Sequence, residues 1–327
     1  MTAPSPGARR LRLGTRKSPM AMAQAQQVAR LITERAGCEV ELTGITTFGD
    51  VSRAQLAQIG GTGVFVSALR ASLLAGDIDV AVHSLKDLPV AQPDGVELAA
   101  VPTRDDPRDA LAARDGAKLA DLPPGATIGT GSPRRAAQLL LLRPDVRPVP
   151  VRGNAGTRLA RVASGEVDAV MLAYAGLARI GRLDVVTQVF EPDEMLPAPG
   201  QGALAVECRS GQLELAALLA CADDAATRAA VTAERSLLAA LEAGCSAPVG
   251  GYAAGADGLR LHAIVVAAGG ETALRASASG PAAEAERLGR EVAAELLRRG
   301  AGRYTAVSAG TAVHISSGDD DSEPTRE

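Results

Sequence analysis

The chain of 327 residues is long enough for two or three domains, each with its own core. Its 46% hydrophobic and 22% charged residues are ordinary for a globular protein, but aromatics make up only 2%, which leaves few platforms for stacking nucleic-acid bases. The formal net charge of −4 is accounted for by residues 318–327, which hold five acids and one arginine. The body is therefore neutral and gives nucleic-acid binding no global electrostatic support.

Residues 1–10 read as a flexible lead, with arginines but no apolar stretch behind them of the kind a signal peptide needs. A strand over Leu11–Gly14 then meets Ser18-Pro19, a strong helix start, and an Ala/Gln-rich helix runs to about Arg35. A strand near Val40–Ile45 is followed by the glycine-rich turn Gly60-Gly61-Thr62-Gly63 and a helix over Val64–Leu74. Next comes the apolar, β-branched run of Ile78 to Val82, a buried strand that Pro89 prevents from continuing. Strands and helices alternating at this length predict an α/β domain with a largely parallel sheet.

Residues 91–110, rich in Pro and Asp around a strand-like Val96–Val101, read as a crossing to a second lobe. That lobe is expected to hold strands at Ala126–Gly129, Val149–Arg152 and Ala169–Ala173, each followed by a helix. The chain breaks again at Leu196–Gly202 (LPAPGQG), and Ala203–Cys208 is predicted to return as a strand to the first lobe. Residues 210–243 read as helical. The loop Gly244-Cys245-Ser246-Ala247-Pro248-Val249-Gly250-Gly251 interrupts, and a hairpin over 259–279 with an amphipathic helix over 282–299 makes a small α+β third domain. The acidic tail is expected to be disordered.

Four cysteines without a CxxC suggest neither a zinc site nor a disulfide framework, and no run approaches the roughly 20 apolar residues of a membrane span. A reduced, cytoplasmic protein is expected. Of the 34 basic residues only Lys17, Lys86 and Lys118 are lysines.

Three features carry chemistry. Ser84, Lys86 and Asp87 sit where the strand before Pro89 ends, and ligands of open α/β sheets bind at that end. The plain alternative is an exposed Lys–Asp pair closing a turn. Second, Arg134 and Arg135 follow the helix start Ser132-Pro133, Arg16 and Lys17 lie just before another, and Arg158 lies near a third, close after Arg152. Cations are disfavoured at a helix N-terminus by roughly 0.3–1 kcal/mol each. Gathered there, they suit an anion with several oxygens, phosphate or carboxylate, although any single arginine could instead pair with a nearby acid. Third, Cys245 lies on a loop between Gly and Pro with no His near it in sequence. It could be a small buried thiol or could carry a covalently attached group. The segments Gly14–Pro19 and Gly129–Pro133 are alike, as two lobes of related design facing one cleft would be.

The segments AVHSLKDLP, GTGSPRRAAQL, VRGNAGTRL, LPAPGQGALAVECR and AGCSAPVGGYA, in order from Leu11 to about residue 308, resemble the porphobilinogen deaminase (hydroxymethylbilane synthase) family. The resemblance implies a monomeric transferase of tetrapyrrole and heme biosynthesis. Its fold would be α/β, two periplasmic-binding-protein-like lobes with mixed sheets plus a small α+β C-terminal domain. The boundaries would be 1–104 with 203–222, 105–202, and 223–310, followed by the tail 311–327. It implies a dipyrromethane cofactor in thioether linkage to Cys245, extended by four porphobilinogen molecules with release of ammonia and freed as a linear tetrapyrrole by water. Twelve carboxylates on a six-ring chain then select carboxylate over phosphate.

By motif match, Arg16, Arg134, Arg135, Arg152, Arg158 and Arg179 would meet cofactor and substrate side chains. Ser18, Ser84, Thr130 and Ser132 would add hydrogen bonds, Lys86 a further cation, and Asp50 an approach to the cofactor, if it is not simply capping a turn. Asp87 matches the catalytic carboxylate, which would serve one acid/base group used repeatedly. No metal and no nucleic-acid or membrane partner is implied. This chain departs from the family at Phe48, Gln58, Thr62 and Ser67, where basic residues are common. The rival readings are a non-catalytic two-lobed carboxylate-binding protein and, without G-x-x-x-x-G-K-[ST], a disfavoured phosphate-handling transferase.

Overall fold

The computed structural model describes residues 10–45, 63–244 and 247–305. Asp50, Cys245, Phe48, Gln58, Thr62 and the acidic tail lie outside the described residues.

The first lobe opens with strand β1 (Arg10–Arg16), whose inward side chains Leu11 and Leu13 are buried. Ser18 caps helix α1 (Pro19–Ala36) by accepting from Ala21 N, Pro19 occupies the first turn, and Gly37 closes the helix at φ 67. Strand β2 (Glu39–Ile45), helix α2 (Gly63–Ala75), strand β3 (Val80–Ser84) and a tight 3₁₀ turn over Leu85–Asp87 follow. Strand β4 (Val96–Ala100) precedes the first crossing.

The second lobe begins with strand β5 (Asp109–Ala113) and continues through β6 (Thr127–Thr130), helix α3 (Pro133–Leu142), β7 (Arg147–Pro150) and helix α4 (Ala155–Ala163). Strand β8 (Ala169–Ala173), helix α5 (Tyr174–Arg179) and strand β9 (Gln188–Phe190) complete it. Strand β10 (Leu204–Arg209) then returns to the first lobe, pairing antiparallel with both β3 and β4.

The two five-stranded sheets have corresponding orders, β2-β1-β3-β10-β4 and β7-β6-β8-β5-β9. In each, three parallel strands are followed by a strand arriving from a crossing and an edge strand. The likeness of Gly14–Pro19 and Gly129–Pro133 thus marks the same β-to-α corner of each lobe. The expectation of largely parallel sheets gives way to mixed ones, because each lobe completes its sheet with a strand running the other way.

Helices α6 (Leu213–Leu219) and α7 (Ala225–Ala240) lead to a three-stranded antiparallel sheet of β11 (Val249–Ala254), β12 (Leu259–Val266) and β13 (Ala273–Gly280). Helix α8 (Ala285–Arg298) and the short α9 (Gly302–Thr305) follow. One face of this sheet packs Leu259, Leu261, Ala263 and Val265 against α7 and α8 in a core rich in Ala and Leu. Its other face lays Ile264 and Val266 on Ala137 and Leu196 of the second lobe.

Three expectations shift. The stretch 91–110 is not all crossing: β4 belongs to the first sheet and β5 opens the second, leaving residues 101–108 between them. The strand expected at Val149–Arg152 lies at Arg147–Pro150, where Pro148 and Pro150 are tolerated because β7 is an edge strand. Gly250 and Gly251, read as an interruption, stand inside β11. A Cβ on Gly250 would approach Leu196 Cβ and Ile264 Cγ2 to 2.8 Å, so glycine is what lets this strand press against the second crossing.

Candidate active site

The side chains singled out from sequence collect where parallel strands end. Arg16 closes β1, Ser84 closes β3 with Lys86 and Asp87 just after it, Thr130 closes β6 with Ser132 two residues on, and Arg152 follows β7. This is the side on which open α/β sheets bind ligands. The lobes meet beside it, at Met20 of α1 and Gly176 of α5, where a Cβ on the glycine would come within 2.9 Å of the methionine methyl.

The hydroxyl groups share one arrangement. Ser84 Oγ accepts from Gln24 Nε2 at 2.8 Å and Thr130 Oγ1 from Ser132 N at 3.2 Å. Ser18 Oγ and Ser132 Oγ accept from the backbone of their helices at 3.3 and 3.4 Å. Each oxygen is used as an acceptor, so its O–H is left to donate, which is what a carboxylate ligand needs.

Arg134 and Arg135 are only 3% and 6% exposed and converge on the fully buried Asp109 at the head of β5. Arg134 Nη2 lies 2.8 Å from Oδ2, and Arg135 Nε and Nη2 donate to Oδ1 at 2.9 and 2.7 Å. Arg134 Nη1 also donates to Leu196 O at 2.6 Å, and Arg135 Nη1 to Met171 O at 3.3 Å. Pairing with an acid, the alternative weighed for any one arginine, therefore describes both of these. Burial alone would raise the Asp109 carboxyl, but the two guanidinium charges and the Gln201 and Arg135 hydrogen bonds outweigh it and hold the group at about 2. The buried Nε–H of Arg134 finds no acceptor among the described residues.

Lys86 faces this cluster from the first lobe. Its ammonium donates to Gln201 Oε1 at 3.1 Å. Burial, and after it the Arg135 charge, push it down to about 8, with Asp87 and Asp109 offsetting part of the effect. Arg158 is half-buried, donates Nε to Gly153 O at 2.9 Å, and is lowered by burial and by Arg135. Cations that lower one another's pKa are short of counter-charge. Lys86, Arg134, Arg135 and Arg158 outnumber Asp87 and Asp109, and the excess fits an occupant bearing several carboxylates. Asp87 itself is half-buried, and among the described residues no hydrogen-bond donor engages its carboxylate.

Arg179 is turned to the crossings: its Nε donates to Asp105 Oδ2 at 2.8 Å and its Nη2 to Gly202 O at 2.7 Å. Arg152 is exposed and Arg16 half-buried. Ser67 lies exposed on α2.

Sequence reasoning passed over the buried polar residues that tie these parts together. Glu234 of α7, with no exposed surface, accepts Arg104 Nη1 and Nη2 at 2.6 and 3.1 Å, Gly200 N at 2.6 Å and Ala253 N at 2.8 Å. One carboxylate thus joins the first crossing, the second crossing and the sheet of the third domain. Glu207 of β10 receives Arg70 at 2.6 and 3.0 Å and lies 3.2 Å from His83 Nε2. Burial opposes its ionisation, but the adjacent His83 ring and the two Arg70 hydrogen bonds hold it at about 2. The sequence signal for both was faint: an acidic residue within an otherwise apolar helix face or strand.

Fold and site together describe a two-lobed α/β protein with arginines and hydroxyls gathered at its parallel-strand ends, and a small C-terminal domain tied to its crossings. Residues 11–217 match the family described as "Porphobilinogen deaminase, dipyromethane cofactor binding domain", and residues 228–298 match "Porphobilinogen deaminase, C-terminal domain". The chain is 60% identical over 311 residues to a porphobilinogen deaminase of Thermobifida fusca, covering 91% of this chain and 96% of that one. It is 57% identical over 305 residues to porphobilinogen deaminase 1 of Streptomyces coelicolor, with 89% and 96% covered. Against the porphobilinogen deaminase of Mycobacterium tuberculosis it is 52% identical over 301 residues, with 89% and 97% covered. Among solved structures, a Salmonella typhimurium periplasmic binding protein with arginine specificity aligns at TM-score 0.38 and 16% identity, covering 68% of this chain and 94% of that one. A periplasmic substrate-binding protein of Coxiella burnetii aligns at 0.41 and 14%, covering 64% and 91%. The chain belongs to the porphobilinogen deaminase family.

Proposed function

We propose that this protein is a transferase that condenses four porphobilinogen molecules head to tail onto a dipyrromethane primer, releases ammonia at each step, and frees the linear tetrapyrrole hydroxymethylbilane by hydrolysis. The observation that carries the reading is the Asp87 carboxylate. It has no donor among the described residues and stands just after β3, next to the Lys86 ammonium that the Arg135 charge reaches from the other lobe. The cofactor, when bound, supplies the pyrrole carbon to which the first substrate ring is joined.

Asp87 is assigned the proton and charge work. It assists departure of the substrate amine, stabilises by its charge the cation left behind, receives the pyrrole N–H of the attacking ring and helps remove its α-proton. Lys86, Arg16, Arg152, Arg158 and Arg179 are assigned to acetate and propionate groups, with O–H donation from Ser18, Ser84, Thr130 and Ser132. Arg134 and Arg135, held on Asp109, supply positive potential and the open Nε–H. Asp50 is assigned an approach to the cofactor.

Cys245 is assigned the covalent attachment. Among the described cysteines, Cys208 is fully buried and its thiol is pushed up to about 12 by burial and Glu97, Cys38 is buried, and burial raises Cys221. None of these is a thiolate open to the cleft. The division at residues 104, 202 and 222 into three domains, a cytoplasmic location and a monomeric state belong to the same reading.

The test pairs two variants. Cys245→Ser should purify without the mass excess that an intact-mass spectrum finds on the unmodified protein. Asp87→Asn should keep that excess, remain folded and bind porphobilinogen, but lose turnover by about 10²–10⁴-fold. Near-normal turnover by Asp87→Asn would remove this residue from the centre of the reaction.

A further inference from the structure

The Gly200-Gln201-Gly202 triplet lies in the second crossing. Gln201 has no exposed surface, and its amide meets both lobes. The oxygen Oε1 accepts from Lys86 Nζ at 3.1 Å and from Arg135 Nη2 at 3.4 Å. Nitrogen Nε2 donates to Asp109 Oδ1 at 2.8 Å and to Pro107 O at 2.7 Å. Both lone pairs and both N–H groups are thus used. The reverse orientation of the amide would set its NH₂ against an ammonium and a guanidinium, so the charges fix which way it faces.

The neighbouring glycines make this position possible. Gly200 and Gly202 have φ of 76 and 88, and a Cβ on Gly202 would lie 2.4 Å from Asp105 O. On Gly200 a Cβ would come within 3.2 Å of Lys86 N. The backbone on either side of Gln201 is pressed against the first crossing and against the Lys86–Asp87 turn.

We propose that Gln201 is a positioning residue for the Lys86–Asp87 turn: its amide holds the Lys86 ammonium in register with the Asp109–Arg135 pair across the lobe boundary. Lys86 is thereby aimed at a ligand carboxylate and Asp87, one residue on, is held beside it. Without the amide oxygen the ammonium loses an acceptor while the Arg135 charge remains. Lys86 is then both harder to keep protonated and freer to turn. This inference rests on the function proposed above for what Lys86 binds, but not for where Lys86 is held.

The test reads Lys86 directly. The chain has only three lysines, so trace acetylation with acetic anhydride across a pH series, followed by peptide mass spectrometry, yields a reactivity midpoint for Lys86 with Lys17 and Lys118 as internal references. Gln201→Leu should lower the Lys86 midpoint by about one pH unit, and the isosteric Gln201→Glu should raise it by a similar amount by adding a carboxylate. Lys17 and Lys118 should not move in either. A midpoint for Lys86 unchanged in both variants, with only the unfolding temperature lowered, would reduce Gln201 to a structural staple and overturn the proposal. Should Gln201→Leu not fold, Gln201→Glu carries the test alone through its opposite sign. If neither folds, Gln201→Asn, which keeps the amide but shortens its reach, takes their place, and an unchanged Lys86 midpoint there overturns the proposal. In turnover of porphobilinogen, Gln201→Leu should raise KM by about tenfold and lower kcat far less, since Lys86 binds rather than reacts. Absence of turnover in the unmodified protein would sink the proposed function while leaving the Lys86 midpoint to judge this inference.

Discussion

Asp109 shows how one buried side chain sets the electrostatics of the cleft. Its folded pKa, about 2, lies below the ordinary 3.8, so the stabilisation from ionising it is complete above pH about 4. That stabilisation, on the order of 2 kcal/mol, is lost as pH falls from about 4 through about 2. Chemical denaturation at several pH values should therefore find Asp109→Asn destabilised by about 3–5 kcal/mol near neutrality, where two buried guanidinium groups lose their counter-ion, and less sensitive to acid. Glu207, also held at about 2, keeps the remaining acid response. Lys86 acts with the opposite sign. A lysine lowered to about 8 costs stability while it is protonated, and that cost is relieved as pH rises from about 8 towards its ordinary 10.5.

At the residue scale the side chains at strand ends and helix starts were legible in the sequence, and the polar groups fully buried between them were not. Asp87, Lys86 and the serines stand beside Pro and Gly punctuation that marks strand ends and helix starts. Asp109, Gln201 and Glu234 stand in no such setting: their meaning depends on partners 19 to 130 residues away. Arg134 and Arg135 illustrate the limit most directly. Their place at a helix start was readable, but the acid that neutralises them is supplied by a strand hidden in what read as a crossing.

At the scale of elements, that strand, β5, was missed for a physical reason. Asp-Ala-Leu-Ala-Ala has weak strand propensity, and only burial between β8 and β9 makes it extended. The paired glycines hid β11 in the same way. By contrast α8 was legible from its apolar stripe, and its close approach to α7 rests on Gly289. A Cβ there would lie 2.4 Å from Ala233 O and 2.6 Å from Ser236 Cβ. Gly289→Ala should thus lower stability by about 1–3 kcal/mol despite its better helix propensity, a sign that thermal unfolding would reveal.

For the whole molecule, the decisive contact is the Glu234 carboxylate between both crossings and the third domain. Arg104 completes it, stacking over the Tyr252 ring at 5.1 Å and donating Nε to Gln201 O at 2.8 Å. Glu234→Gln keeps the size of the side chain but removes the charge that faces Arg104. It should cost about 3–5 kcal/mol, and the loss should persist at high salt because the pair is buried. Limited proteolysis should find new cleavage at the crossings, residues 101–108 and 196–203, before the sheets are attacked. Cleavage first within a sheet would mean that the carboxylate does not hold the hinge.

The strand order also dictates a sequence of events during synthesis. Strands β5 to β9 form one uninterrupted stretch, so the second lobe has every strand of its sheet once residue 190 has left the ribosome. The first lobe, although begun earlier, has a gap between β3 and β4 until β10 emerges more than a hundred residues after β4. The nascent chain therefore finishes its middle before its beginning.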